Sequence, residues 1–214
     1  MEDFNQMATN FDTGRRIERA KAISNEIRLH ISDGQAKSAM EYGCGTGLVG
    51  FQLINDLNSL IFVDSSPAMI EQVKEKLQCL NKSTNNAICQ DFIVDTPLDI
   101  GIDYIFSSLV LHHIKDTEAI LSCMYNMLNN NGHLLIVDIN TDDGSFHVKY
   151  PGFDGHNGFN QPALVALATD IGFKNVSIKT FYHGNKIINS ETKPYSLFIL
   201  DAVKKTPGIY NQST

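Results

Sequence analysis

No stretch of the chain approaches the roughly 18 consecutive apolar residues that a membrane-crossing helix needs. The opening residues, Met1-Glu2-Asp3-Phe4, lack the basic-then-apolar order of a secretory leader. Lys and Arg never cluster beyond short pairs such as Arg15-Arg16 and Lys204-Lys205, and 17 basic against 24 acidic residues give a formal charge of −7. A phosphate-backbone partner is disfavoured by that balance. The four cysteines, Cys44, Cys79, Cys89 and Cys123, contain no C-x-x-C pair and have no histidine at zinc spacing. Neither a disulfide framework nor a metal site is expected, and buried free thiols are. These absences describe a cytoplasmic protein with no nucleic-acid and no membrane partner.

The 214 residues are 43% hydrophobic and 19% charged, an ordinary globular balance with length enough for one core. Residues 1–205 are expected to form a single domain, ahead of a frayed tail at 206–214. Apolar residues at Ile17, Ala20, Ile23, Ile27 and Ile31 mark a helical stripe over residues 13–31. The spacing then predicts a strand at 37–42, a glycine cluster at Gly43, Gly45 and Gly47, and a helix at 48–57. A strand at 60–63 follows, and a helix at 67–80 that Pro67 opens behind an Asp64-Ser65-Ser66 cap. Strands at 87–89, 104–107 and 133–137 surround a helix at 117–128 closed by an Asn129–Gly132 turn. Such alternation indicates a parallel sheet covered on both faces. A polar, turn-rich excursion at 141–161 comes next, then a helix at 162–171. Strands at 176–182 and 195–203, with a turn near Gly184-Asn185, complete the sheet as an antiparallel hairpin.

Glycines between a first strand and the following helix let backbone approach a ligand and aim helix N–H groups at it. Gly45-Thr46-Gly47-Leu48-Val49-Gly50 fits G-x-G-x-x-G, and Asp64 lies 19 positions beyond Gly45, where a dinucleotide fold keeps its ribose carboxylate. Taken alone, the motif fits NAD or S-adenosylmethionine. Glu41 weighs on the choice, since a carboxylate two residues before Gly43 would repel a pyrophosphate and attract an ammonium or sulfonium.

Four elements then occur in order: Glu41-Tyr42-Gly43-Cys44-Gly45-Thr46-Gly47, Asp64, Asp91-Phe92, and the run 103–114 that ends in Leu111-His112-His113-Ile114. Over about residues 38–140 they resemble the motifs of class I S-adenosylmethionine-dependent methyltransferases, closest to the small-molecule, quinone-biosynthesis-like branch. The resemblance implies an α/β, Rossmann-like three-layer sandwich whose seven-stranded, mostly parallel sheet has an antiparallel last strand. It also implies S-adenosyl-L-methionine as cofactor. By position, Glu41 and the loop of Gly43, Cys44, Gly45 and Gly47 would hold the methionine end. Asp64 and Ser65 would take the ribose, Asp91 and Phe92 the adenine, and Ser107 would underlie the sulfonium. Met69 would flank the adenine or simply pack in the core. The family more often carries Asp where Glu41 stands.

Methyl transfer from a sulfonium is an in-line displacement that rests on alignment and exclusion of water, with a base needed only for some acceptors. His113 and then His112 are the candidates for that base, although the pair also fits capping a helix or supporting the cofactor loop. Substrate-wall candidates are Phe4, Met7 and Phe11 in the N-terminal lid (residues 1–34) and the excursion over residues 145–159 with His147, Tyr150 and His156. His147 and His156 read as solvated loop residues, and the carboxylates at Asp138, Asp142 and Asp143 as a solvated turn. The absence of an Asn/Asp-Pro-Pro-aromatic run after the fourth strand argues against amino-directed nucleic-acid methylation. The expected partner is a small-molecule methyl acceptor. Two other classes remain beside the methyltransferase: a non-catalytic nucleoside-binding protein of the same fold, and an NAD-dependent oxidoreductase.

Overall fold

The computed structural model describes residues 4–80, 85–91, 99–148, 152–188 and 190–205. Helix α1 (Phe4–Met7) and a 3-10 turn (Ala8–Asn10) lead into α2 (Gly14–Arg28). Strand β1 (Ser38–Tyr42), helix α3 (Gly50–Leu53), β2 (Ser59–Asp64), α4 (Pro67–Gln78), β3 (Asn86–Cys89) and β4 (Ile102–Ser108) follow. The second half holds α5 (Thr117–Met127), β5 (Leu128–Ile139), α6 (Gln161–Ile171), β6 (Lys174–Ile188) and β7 (Glu191–Val203).

The strands build one seven-stranded sheet in the order β3-β2-β1-β4-β5-β7-β6. Neighbours from β3 through β5 are parallel, and β7 runs antiparallel between β5 and β6. This is the expected α/β, Rossmann-like architecture with a reversed last strand. From β1 the chain moves outward through β2 to β3, and from β4 it moves the other way. The strand order therefore reverses between β1 and β4, the switch point at whose carboxyl ends open α/β sheets hold ligands.

Strand residues alternate between two apolar layers, as a sheet covered on both faces requires. Ala39, Phe62, Phe106, Leu135 and Val137 pack with Ala20, Ile23 and Ile27 of α2, Leu53 of α3 and Ile70 and Val73 of α4. Met40, Ile105, Leu134, Ile136 and Phe198 face Ile120, Leu121 and Met124 of α5 and Leu164 and Ala168 of α6. Complete burial of a side chain the size of Ile27 contributes roughly 1.5–3 kcal/mol. Ile17, at the start of the α2 stripe, is exposed.

Three local expectations change. The helix after the glycine loop is only Gly50–Leu53, and residues 54–56 turn at once toward β2. Leu53 and Leu57 are both buried by this early descent. The final hairpin turns next to Ser190, not at Gly184-Asn185, and Gly184 pairs with Tyr195 inside the ladder. A Cβ at Gly184 would lie 2.7 Å from the rings of both Tyr182 and Tyr195, so glycine there makes room for aromatics within a strand. Residues 129–132 form no separate turn. Leu128 already pairs with Ile102, and the ladder shifts register before Tyr104 meets His133.

Candidate functional site

Five parallel strands deliver their carboxyl ends to one edge, which brings together residues far apart in sequence. After β1 the backbone turns through Gly43, Gly45 and Gly47 at φ of +69°, +53° and +81°, values open to glycine and strained for other residues. The N–H groups of Gly43 and Cys44 both donate to Val63 O, at 2.7 and 3.0 Å. Gly43 is also sterically required, because a Cβ there would lie 2.3 Å from a methyl of Val110 in the loop after β4.

Asp64 fastens this loop to the next helix. Its Oδ2 accepts from Gly45 N at 2.7 Å and its Oδ1 from Ser66 N at 2.8 Å. Desolvation raises its pKa, while the N–H groups of Ser66 and Gly45 pull it back down. Ser66 caps α4 by accepting from Met69 N. Glu41 sits beneath the loop at 1% exposure, its Oε2 accepting from Gly50 N at 3.0 Å. Burial pushes this carboxyl up to about 8, and the bond from Gly50 only partly opposes the shift. The charge argument about phosphate and sulfonium is weakened accordingly, since burial favours the protonated form of Glu41.

The loop after β4 carries a second group of side chains. Leu109 adopts φ +59° and the chain enters a 3-10 turn at Leu111–His113. His112 is buried, with Nδ1 2.6 Å from Asp138 Oδ1 and its backbone N–H 3.1 Å from Asp138 Oδ2. Asp138 ends at 0% exposure, so it is a buried partner and no solvated turn residue. His147 is likewise buried and stacks on Phe153 with ring centroids 3.8 Å apart and planes 10° apart. His156 is half-buried, with Nε2 2.9 Å from Ile114 O. Both histidines therefore depart from the solvated-loop expectation, because the described residues 140–148 and 152–159 pack back against the loop after β4. Asn140 bridges Phe159, and His156 N donates to His112 O at 2.7 Å.

His112, His113 and His147 thus converge, with one nitrogen from each lying within 4.8 Å of the others. His113 is pushed down to about 3, by desolvation first and then by His112 and His147; His147 is pushed to about 4 by desolvation, His112 and Lys186. A ring at about 3 accepts a proton poorly, well short of the near-neutral value that suits a general base.

The N-terminal segment lies over this edge. Phe4 meets His113 edge-on at 5.4 Å, Asn5 Oδ1 accepts from Ser66 Oγ at 2.7 Å, and Asp12 bonds both Thr46 Oγ1 and Lys76 Nζ. A Cβ on Gly45 would meet Phe11 at 3.6 Å, which places Phe11 on the glycine loop and Phe4 on the histidines.

The remaining candidates fall as follows. Cys44 is buried in the loop and Ser65 is exposed beside Asp64. Ser107 is buried and donates to Tyr42 O at 2.9 Å, stitching β4 to β1. Met69 is enclosed in the core at 1% exposure. Asp91 follows β3 at the same edge, whereas Phe92 and Tyr150 lie outside the described residues. Asp138, Val110, Thr46, Asp12 and Lys76 were not singled out for this edge. Only Asp138 carried a signal, a carboxylate closing an apolar strand.

A parallel sheet with a positive-φ glycine loop after its first strand and a carboxylate closing its second defines the nucleotide-binding class of α/β proteins. Within that class, residues 33–179 match the model of a methyltransferase domain. The chain belongs to this family, the class I S-adenosylmethionine-dependent methyltransferases. It is 26% identical over 178 residues to an uncharacterised methyltransferase of Schizosaccharomyces pombe, covering 75% of this chain and 61% of that protein. It is 32% identical over 136 residues to malonyl-[acyl-carrier protein] O-methyltransferase 1 of Ilyobacter polytropus, covering 62% of this chain and 49% of that protein. The chain therefore spans about half to three-fifths of these relatives' length. Among solved structures, it superposes with a TM-score of 0.69 and 16% identity on Haemonchus contortus phosphoethanolamine N-methyltransferase 2, captured with phosphomonomethylethanolamine and S-adenosylhomocysteine. That match covers 88% of this chain and 53% of the other.

Proposed function

We propose that the protein transfers a methyl group from S-adenosylmethionine to a small-molecule acceptor. The reading is carried by one juxtaposition: the Gly43–Gly47 loop, Glu41 and Asp64 stand at the same sheet edge as the histidine-lined loop after β4. The residues present fit the nucleoside. Above Gly45 the nearest atoms are those of the Phe11 ring, a movable side chain over a backbone cradle. When bound, S-adenosylmethionine supplies an electrophilic methyl group on a sulfonium.

Asp64 holds the ribose in this reading, with carboxylate lone pairs left over from its bonds to Gly45 and Ser66. Glu41 answers the methionine end, and an arriving ammonium favours release of its proton. Phe4 and Phe153 flank His113 and keep water from the acceptor side. A proton on His112 Nδ1 shared with Asp138 Oδ1 would leave Nε2 as the ring's free acceptor. With His113 so weakly basic, alignment contributes more than proton removal.

Calorimetry with S-adenosylhomocysteine, with NAD as the control, tests the cofactor. Micromolar binding of the former alone is expected, and Asp64→Ala should weaken it by roughly 1.5–3 kcal/mol, the value of a hydrogen bond to a charged group. Binding of NAD instead, or unchanged affinity in the variant, would overturn the assignment.

A further inference from the structure

We propose that His112, His113 and His147 form a three-imidazole site for one divalent transition-metal ion of the zinc class. Two of the ligands leave the 3-10 turn after β4, and the third lies in the 3-10 turn at Ser145–His147 that the excursion folds back against it. One nitrogen from each lies within 4.8 Å of the others. Zinc–imidazole bonds of about 2.0–2.1 Å place tetrahedral donors about 3.4 Å apart. The contraction needed is on the order of 1.4 Å, within reach of side-chain rotations on two short turns.

Two further observations point to a ligand. Among the described residues the buried Nδ1 of His147 has no hydrogen-bond partner, whereas buried polar atoms ordinarily find one. Asp138 supplies the second. Its Oδ1 lies 2.6 Å from His112 Nδ1, which fixes the tautomer and frees Nε2, the carboxylate–histidine arrangement that orients metal-bound imidazoles.

Local charge also suits a cation. Asp138 and Asp142 act on His147 from the strand end and the excursion, against Lys186 on β6. All three ligands are nitrogen and none is a cysteine, so the site selects a borderline metal over magnesium or calcium. Three protein ligands leave a fourth position, the pattern of catalytic zinc, where an anionic oxygen or sulfur of the acceptor can bind. That last consequence rests on the methyl-transfer reading; metal binding itself does not.

Full-length chain, freed of any affinity tag and dialysed against chelator, is titrated with Co²⁺ and Zn²⁺ while visible absorption and heat are recorded. One Co²⁺ per chain at micromolar or tighter affinity is expected, with a four-coordinate spectrum and no thiolate-to-metal band. His147→Ala should weaken binding by at least tenfold, and Asp138→Asn by about 10–100-fold, the range for losing an orienting partner. Cooperative thermal unfolding is checked for both, and His147→Gln serves if His147→Ala does not fold. Absent binding to the wild type, a thiolate band, or unchanged affinity in the His147 variants overturns the site. S-adenosylhomocysteine calorimetry on the same sample separates the two readings: nucleoside bound without metal sinks only the metal site, and metal bound without nucleoside sinks only the cofactor assignment.

Discussion

The imidazole of His112 and the carboxylate of Asp138 form a buried pair, Nδ1 to Oδ1 at 2.6 Å, between the loop after β4 and the last residues of β5. A second bond runs from the His112 backbone N–H to Asp138 Oδ2, and Ile139 N donates to Oδ1 at 2.7 Å. One carboxylate thus fixes a side chain, a turn and a strand end.

Removing one member of such a pair leaves its partner buried and uncompensated. Asp138→Ala is expected to cost roughly 1.5–3 kcal/mol of stability, the value of hydrogen bonds to a buried charged group whose donors are left unsatisfied, and Asp138→Asn, which keeps an acceptor for the backbone donors, clearly less. Urea denaturation measures both, and equal midpoints for wild type and Asp138→Ala would contradict the pairing.

Glu41 gives a pH dependence of definite sign. Its ordinary value of 4.5 describes the unfolded chain, and the fold raises it to about 8, so the folded state binds more protons between those values. The contribution to stability is complete below about 4.5, declines as pH rises through the window and is lost above about 8, at up to roughly 1.4 kcal/mol per pH unit. Glu41→Gln carries no proton to lose and retains an acceptor for Gly50 N. Its stability relative to wild type should rise steadily from pH 5 to pH 8 in thermal unfolding, and a difference independent of pH would refute the assignment.

At Gly43 two costs combine. Alanine would hold φ +69°, worth about 1–2 kcal/mol in the left-handed region, and would press a Cβ to 2.3 Å from Val110. Gly43→Ala should therefore lose stability and nucleoside affinity together. Adding Val110→Ala should recover the packing part and not the backbone part, which a double-mutant cycle separates.

The N-terminal strap is held by polar ties at the surface, so its loss should be local. Asp12→Ala removes contacts to Thr46 and Lys76, an ion pair of the exposed kind worth about 0.2–1 kcal/mol. The melting temperature should barely move, whereas hydrogen exchange and proteolysis within residues 4–13 should accelerate. Unchanged protection there would show that Phe4, Asn5 and Phe11 hold the segment without Asp12.

Much of the architecture was legible in local pattern. Continuous apolar runs of four to six residues alternating with helical stripes specify a parallel sheet, and parallel connection alone carries every loop after a strand to the same edge. For that reason the glycine loop, Glu41, Asp64, Asp91 and the His112-His113 pair could be grouped before any coordinate was known. Boundaries were less legible where packing overrode local signals, as at α3, cut short so that Leu53 and Leu57 could both be buried, and at Gly184, which accommodates two tyrosine rings and makes no turn.

What only the tertiary structure decided depends on desolvation and on distant pairs. Asp138 lies 26 residues from His112, and Asp12 lies 64 from Lys76. His147 joins His113 only because the excursion closes at Asn140 and Phe159. The protonation of Glu41 and the weak basicity of His113 come from burial, which sequence spacing does not encode. Local pattern fixes which residues reach the edge; the low dielectric and close packing there determine what charge they carry and which of them touch.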